Sequence, residues 1–448
     1  MKLKDIFKNK NKNKDKNKKV KNKSNNKKKD KIKFKEKIKS LKKKLSKFMI
    51  FERDRDSMYS FKEVVVIMFF SLGLGFFACL SFVKIFNNGR SYMALSNDLS
   101  KFVDTYYAIK DNYYGELDNE KLVDSAIKGM ISAVGDEYTS YSDTDDADNF
   151  KQTVSGIYEG IGCTVGVNLD NKIVVVDMFK DSPAEKAGLK VGDIIIKIDG
   201  EDFVGKSSTD MSNYVKSSKN SKVVLTIIRD EETMELDVER KKIEIPYVSG
   251  EVITKDDMKI GYIDISLFSS TIYDQFKREL EELEKENISG LVIDVRGNSG
   301  GYLSGVTDIL NLFLKKGDVI YQLESGNKKQ IKKDTTKEKR DYPVAVLVNG
   351  GSASASEILA SVIKESYNGY VVGTKTYGKG TVQQTTTLPD GSMVKYTVQK
   401  WLTPNGNWVN EVGVEPTDTV ELDISYAENP IMENDNQLQK ALELVTKK

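Results

Sequence analysis

Three serines alternate with alanines in Gly351-Ser352-Ala353-Ser354-Ala355-Ser356-Glu357, and a lysine sits between glycines in Gly378-Lys379-Gly380-Thr381-Val382-Gln383. The 448-residue chain contains no histidine. That absence excludes a Ser-His-Asp triad and every histidine-ligated metal centre. A serine hydroxyl is a weak nucleophile that needs an adjacent base, and lysine is the base that remains. To accept a proton Lys379 must be neutral. Lowering a lysine from about 10.4 to about 7 or 8 costs some 3 to 4 kcal/mol, normally exacted by burial. The flanking glycines and the apolar neighbours Val371, Val372 and Val382 make that burial expected. Alone, a lysine between glycines reads as a solvated turn residue; beside the serine motif it reads as a base.

Position supports the serine. Ser354 follows an apolar run at 344–348 and opens a helical pattern whose face is Ile358, Leu359, Val362 and Ile363. The first N–H groups of a helix are unpaired and suit an oxyanion, so Ala355 is the expected first donor. A second tight loop, Asp294-Val295-Arg296-Gly297-Asn298-Ser299-Gly300-Gly301, ends another buried-type strand, where α/β sheets place their sites. Gly300 is the expected second donor, with Gly301 next. Gln383, four residues after the lysine, is placed to hold the amine. Lys375 is a nearby alternative base without the glycine context.

The elements that must carry these residues follow from pattern. Residues 96–134 have helical periodicity. Residues 153–243 read as short Val- and Ile-rich strands interrupted by two short helices, and 246–420 alternate strands with helices, the mark of an α/β layered core. Residues 328–340 read as an exposed charged loop and 436–445 as a final amphipathic helix. The acidic run at 143–148 lacks the glycine and terminal glutamate of a calcium loop and reads as a polar surface turn. No acidic, cysteine or histidine spacing suggests a metal or other cofactor, and none is expected.

The stretch DSPAEKAGLKVGDIIIKIDG at 181–200 resembles the signature of a PDZ domain, and the strand–helix order agrees with its bacterial form. In that resemblance Gly160, Ile161 and Gly162 form the loop that receives a peptide's terminal carboxylate, since glycines let successive N–H groups point into one concavity. The next strand offers an edge for pairing. Met211 and Val215, four residues apart, face either that groove or the core.

GSASASE, VVGTKTYGKGTVQ, GYIDISLF, LVIDVRGNSGG and NGNWVNEVGVEPT together resemble the carboxyl-terminal processing (tail-specific) peptidases across residues 102–445. The resemblance places the nucleophile on Ser354, not on Ser352 or Ser356. It places the general base on Lys379, the lysine-orienting residue on Gln383, and the oxyanion donors on Gly300 and Ala355. Ser299 departs from the proline that members often carry before the double glycine. The resemblance implies a ClpP/crotonase-like peptidase core with an inserted PDZ domain, α/β in class and multidomain. It leaves room for a homodimer through the helical flanks and for a PDZ domain that gates the active site.

Charge and hydropathy set the topology. Residues 1–60 hold 25 Lys+Arg against 7 Asp+Glu, leaving 44 against 60 in the remainder. Between these halves, residues 64–83 carry no charge; at about 1.5 Å per residue they span roughly 30 Å, a bilayer's hydrocarbon core. Basic residues stay on the cytoplasmic side. The expected layout is a disordered cytoplasmic head at 1–60, a retained transmembrane signal anchor at 64–83, and an extracytoplasmic body. That body comprises a helical segment at 95–150, the PDZ domain at 153–243, the peptidase core at 246–425 and a C-terminal helix at 426–448. The lysine-rich head fits a membrane surface better than nucleic acid, given the span behind it. Cys79 and Cys163 fall on opposite sides of the span boundary and form no disulfide framework.

The expected partners are therefore protein or peptide tails with free C-termini and the cell membrane, with no nucleic acid. Two rival readings are an inactive PDZ scaffold and a Ser/Lys hydrolase of cell-wall amides or esters. Retention of Ser354, Lys379 and Gln383 argues against the first, and a module that reads peptide termini argues against the second.

Overall fold

The structure, a computed structural model, describes residues 35–37, 39–40, 42–43, 59, 61–86 and 97–447. Most of the lysine-rich head lies outside them; the described residues between 35 and 43 are helical. The chain divides into two compact units, Met1–Leu117 and Asp118–Lys448.

In the first unit, α1 (Phe61–Phe86) contains the uncharged run, and α2 (Asn97–Asn112) follows. Among the described residues no helix is long and apolar enough to cross a membrane; the side chains of residues 61–62 and 79–86 of α1 lie outside those residues. Within the described part Phe69, Phe70, Leu72, Leu74, Phe76 and Phe77 are all exposed.

The second unit begins with α3 (Asn119–Ser132), β1 (Ser140–Ser142) and α4 (Thr144–Ser155). The helical pattern at 96–134 is thus two helices, interrupted around Gly115. The acidic run is not a surface turn. Asp143 caps α4 by accepting from the Asp146 N–H, and Asp145 and Asp146 lie in its first turn, where the helix dipole favours negative charge.

The next module is built from short strands: β2 (Ile157–Gly160), β3 (Cys163–Val167), β4 (Ile173–Met178), β5 (Ile194–Ile198), β6 (Glu201–Asp202), β7 (Lys222–Arg229), β8 (Glu232–Glu239) and β9 (Lys241–Glu244). Two helices interrupt them, α5 (Pro183–Lys186) and α6 (Ser208–Ser217). The sheet order is β3-β4-β5-β7-β8, with β6 on β5, while β2 pairs with β9 as a separate ribbon. Ile173, Ile195, Ile198, Leu225 and Ile227 are its buried centre.

The largest module has β10 (Val248–Lys255), β11 (Met258–Ile265), α7 (Ile272–Lys285), β12 (Gly290–Asp294), α8 (Leu303–Leu310), β13 (Val319–Ser325), β14 (Lys328–Lys333), β15 (Val344–Val348) and α9 (Ala355–Val362). A π-turn over Ile363–Tyr367 leads to β16 (Tyr370–Gly373), β17 (Thr381–Thr387), β18 (Met393–Leu402), β19 (Asp418–Thr419), α10 (Ile424–Glu428) and α11 (Asn436–Thr446). One sheet runs β10-β11-β12-β15-β16-β19, parallel except for β10.

Successive side chains of a strand face opposite sides, and both sides here are covered. Leu291, Ile293, Val344, Val346 and Val348 pack with α7, α8 and α9. The intervening Val292, Ala345 and Leu347 pack against Leu438, Ala441, Leu442 and Val445 of α11. Strands buried on both faces read as continuous apolar runs, which is why β12 and β15 stood out in the sequence. The second sheet has the order β1-β18-β13-β14, with β17 on β18. The expected exposed loop at 328–340 therefore starts as a strand. All residues of β14 are exposed, and a lysine-rich edge strand lacks the apolar alternation by which strands are recognised.

Candidate active site

Two glycine loops leave the C-terminal ends of the neighbouring parallel strands β12 and β15. They are sewn together by hydrogen bonds. The Gly297 N–H donates to Asn349 Oδ1 at 2.9 Å, the Ala353 N–H to the Asn298 carbonyl at 3.0 Å, and the Ser352 hydroxyl to the Val295 carbonyl at 2.7 Å. The Ser356 hydroxyl donates to the Asn298 carbonyl at 2.8 Å. Ser352 and Ser356 are fully buried in these roles. Ser354, between them, is partly exposed, just ahead of α9. Its φ of 54° is a conformation L-residues rarely adopt. Such strain persists only where surrounding structure enforces it, and it clusters at functional sites.

The enforcing residue is Glu357, a completely buried carboxylate. One oxygen accepts the Ser354 N–H at 2.8 Å and the Lys379 N–H, also at 2.8 Å. The other accepts the Thr376 hydroxyl at 2.6 Å and the Gly378 N–H at 2.7 Å. Two backbone donors on one atom fix the serine and lysine loops against each other. The sequence reading missed Glu357. Its signal was the S-x-x-E spacing from Ser354, the pattern in which a glutamate reaches back to a helix-capping N–H.

The lysine loop is also held from above. Trp401 Nε1 donates to the Lys379 carbonyl at 2.8 Å and Trp408 Nε1 to the Gly380 carbonyl at 2.9 Å; these are the two tryptophans of the chain. At the end of β16, just before the loop, Gly373 has φ 125° and leaves no room for a Cβ against the carbonyl of its β15 partner Val348.

Lys379 is depressed below the usual lysine value. Burial is the main cause, Lys395 adds repulsion, and Glu357, Asp136 and Glu137 oppose the shift. The Lys379 amine sits 4.8 Å from the centre of the Tyr138 ring. Among the described residues it has no hydrogen bond to Ser354. Gln383 does not hold the amine in this arrangement either: its Nε2 donates to Thr381 Oγ1 at 2.9 Å and Thr397 Oγ1 at 3.2 Å. Lys375 is a surface residue paired with Glu415 at 3.1 Å, which removes it as a base.

The first loop needs one correction. The Gly300 N–H, expected to face an oxyanion, donates to Asn298 Oδ1 at 2.8 Å. The buried Asn298 side chain is pinned in turn by its Nδ2, which donates to the Ile265 carbonyl at 2.7 Å. Among the described residues the N–H groups of Gly301 and Ala355 have no acceptor. Gly300 instead supplies closeness: a Cβ on it would lie 2.9 Å from Ser354 Cβ. Arg296 ties this loop to α11, with guanidinium nitrogens 2.6 Å from Asp294 and 2.7 Å from Asp435.

Gly160, Ile161, Met211 and Val215 line one cavity of about 60 Å³ between β3 and α6, together with Tyr158, Cys163 and Val165. Met211 and Val215 are both core and groove residues, being buried in the small module's interior as well. Burial pushes the Cys163 thiol up to about 12, so that side chain is uncharged, while Glu159 and Lys216 also border the cavity. Gly162, with φ 86°, lies against Ser182 behind the groove. Among the described residues no cluster of acidic or sulfur ligands is arranged to hold a metal.

The sequence matches peptidase family S41 over residues 259–420, the PDZ domain over 160–239, and the activating protease CtpB N-terminal domain over 81–146. It is 42% identical over 340 residues to the carboxy-terminal processing protease CtpB of Bacillus subtilis (strain 168), a match spanning 74% of this chain and 70% of that protein. To the carboxy-terminal processing protease CtpA of the same organism it is 39% identical over 337 residues, spanning 75% and 71%. Among solved structures, the photosystem II D1 C-terminal processing protease superposes with a TM-score of 0.44 at 25% identity, covering 78% of this chain and 93% of that one. The chain belongs to the S41 family of serine-type carboxy-terminal processing peptidases and carries a PDZ domain.

Proposed function

We propose that the protein is a membrane-anchored, extracytoplasmic endopeptidase that captures C-terminal tails in its PDZ groove and cleaves them with Ser354 and Lys379. The observation that carries the Ser/Lys reading is the shared Glu357 oxygen, which fixes both loops from one atom. The neutral Lys379 amine takes the Ser354 hydroxyl proton as Oγ attacks the scissile carbonyl carbon. The N–H groups of Ala355 and Gly301 face the oxyanion. Lys379 then gives its proton to the departing amine, leaving an ester on Ser354. A water, deprotonated by Lys379, hydrolyses that ester and restores the serine. Gln383 turns from its threonine partners to orient the amine in the working state.

The cavity beside Gly160 fits one small apolar terminal side chain, and the larger groove of about 1060 Å³ that continues along α4 accommodates the chain leading to it. The exposed phenylalanines and leucines of α1 support membrane insertion, with the basic head inside.

The test is cleavage, followed by mass spectrometry, of an unstructured reporter with a free apolar C-terminus. Loss in both Ser354→Ala and Lys379→Ala, with weakening on amidation of the reporter, is expected. Full activity in either variant overturns the reading. Recovery of the full chain in the soluble fraction after cell lysis overturns the anchor.

A further inference from the structure

The loop that precedes the PDZ domain reaches into the candidate active site. Tyr138 presents its ring to the Lys379 amine at 4.8 Å. The same loop carries Asp136, whose carboxylate accepts the Thr397 hydroxyl at 2.7 Å and the Tyr138 N–H at 3.3 Å, with a further bond from the Thr139 hydroxyl. Thr397 in turn accepts from Gln383 at 3.2 Å. One four-residue loop thus touches the lysine through a ring and the glutamine through a threonine.

An aromatic face attracts a cation and not a neutral amine. We propose that Tyr138 is a positioning residue for the general base: its ring binds the charged form of Lys379 and seats it away from Ser354, so this loop sets how much of the base is ready to work. The inference rests on the Ser/Lys reading. The charged groups around the amine are Lys395 on β18, Glu357 on α9, and Asp136 and Glu137 on the loop itself. Asp136 is held below its usual value; burial opposes this, and the Thr139 and Thr397 hydroxyls outweigh it with help from Lys379. It therefore adds a negative charge that favours the seated, protonated amine.

The measurement is the pH profile of kcat/KM for the full chain in detergent micelles, using the same unstructured reporter. Tyr138→Leu removes the ring, so the acid limb moves down by about half to one and a half pH units. Below the limb, the rate rises about 3- to 30-fold by the same shift. Such a gain cannot come from misfolding. Tyr138→Phe retains the ring and keeps the wild-type limb. Asp136→Asn lowers the limb as well, and lowers the plateau because Thr397 and Gln383 are released. A Tyr138→Leu enzyme that is slower at every pH with an unmoved limb overturns the inference. Continued cleavage by Lys379→Ala would instead overturn the Ser/Lys reading beneath it.

Discussion

Replacing Glu357 by glutamine changes one oxygen to an amide nitrogen among three main-chain N–H donors and one hydroxyl. With the nitrogen toward Ser354 and Lys379 both of their bonds are lost; turned the other way it faces the Gly378 N–H, while the Thr376 hydroxyl can rotate to accept. A hydrogen bond to a charged acceptor contributes about 1.5–3 kcal/mol, so losing one or two costs the peptidase core about 1.5–6 kcal/mol. Domains are stable by about 5–15 kcal/mol, so the variant should still fold. The catalytic effect is larger than stability alone implies. If the Ser354 or Lys379 loop drifts by about 1 Å, a roughly 100-fold loss of kcat/KM is expected. Charge moves a different quantity. Glu357 favours the ammonium form of Lys379, so its neutralisation lowers the acid limb even as the plateau falls. Urea denaturation of the full chain and the pH profile of cleavage measure both. An unchanged unfolding midpoint together with kcat/KM within about twofold of wild type would refute the argument, since bonds this buried cannot be lost without a trace.

Gly300→Ala places a methyl 2.8 Å from the Ala353 carbonyl oxygen and 2.9 Å from Ser354 Cβ at a φ of 106°; cleavage should fall at least about 100-fold while circular dichroism is unchanged, and retained activity would contradict the packing described. Lys395→Gln removes the repulsion that depresses Lys379, so the acid limb should move up and activity at neutral pH should drop; a limb moving down would reverse the electrostatic assignment. Burial, with Asp294 adjacent and Arg296 opposing, pushes Asp264 up to about 6. A carboxyl raised in the folded state stabilises it below the unfolded value near 3.8, and that contribution is lost as pH rises through about 6. Asp264→Asn should therefore be more stable than wild type at pH 8 and show a flatter dependence of Tm between pH 4 and 7; an unchanged dependence would exclude Asp264 as its source.

What could be read from the sequence was what local pattern encodes. The run at 344–348 read as a strand, and a helix face began immediately after Ser354. Gly300 read as an oxyanion donor, but its N–H goes to Asn298 and not toward a substrate. Two features escaped because they join distant parts of the chain, and a third because its pattern is weak. Glu357, which went unread, fastens a loop more than twenty residues away. Asp136 and Tyr138 looked like the end of a helical segment, yet they meet residues from the far sheet. β17 and β18 are long but carry Thr, Gln and Lys on a half-exposed face, so their alternation is faint. Lys379 and Gln383 are close in sequence, and that spacing suggested a contact which this arrangement does not contain.

The fastening of the lysine loop has an evolutionary consequence. Of the four donors that meet Glu357, three are main-chain amides and one is a threonine hydroxyl. The tryptophan bonds also grip main-chain carbonyls. The geometry is therefore indifferent to most of the side chains that the loop displays. Thr374 and the exposed Lys375 are free to drift without disturbing Ser354 or Lys379, whereas Tyr377 is tied to Tyr138 beside the amine. A lineage can retune which tails it accepts one surface residue at a time, while the chemistry stays constant underneath.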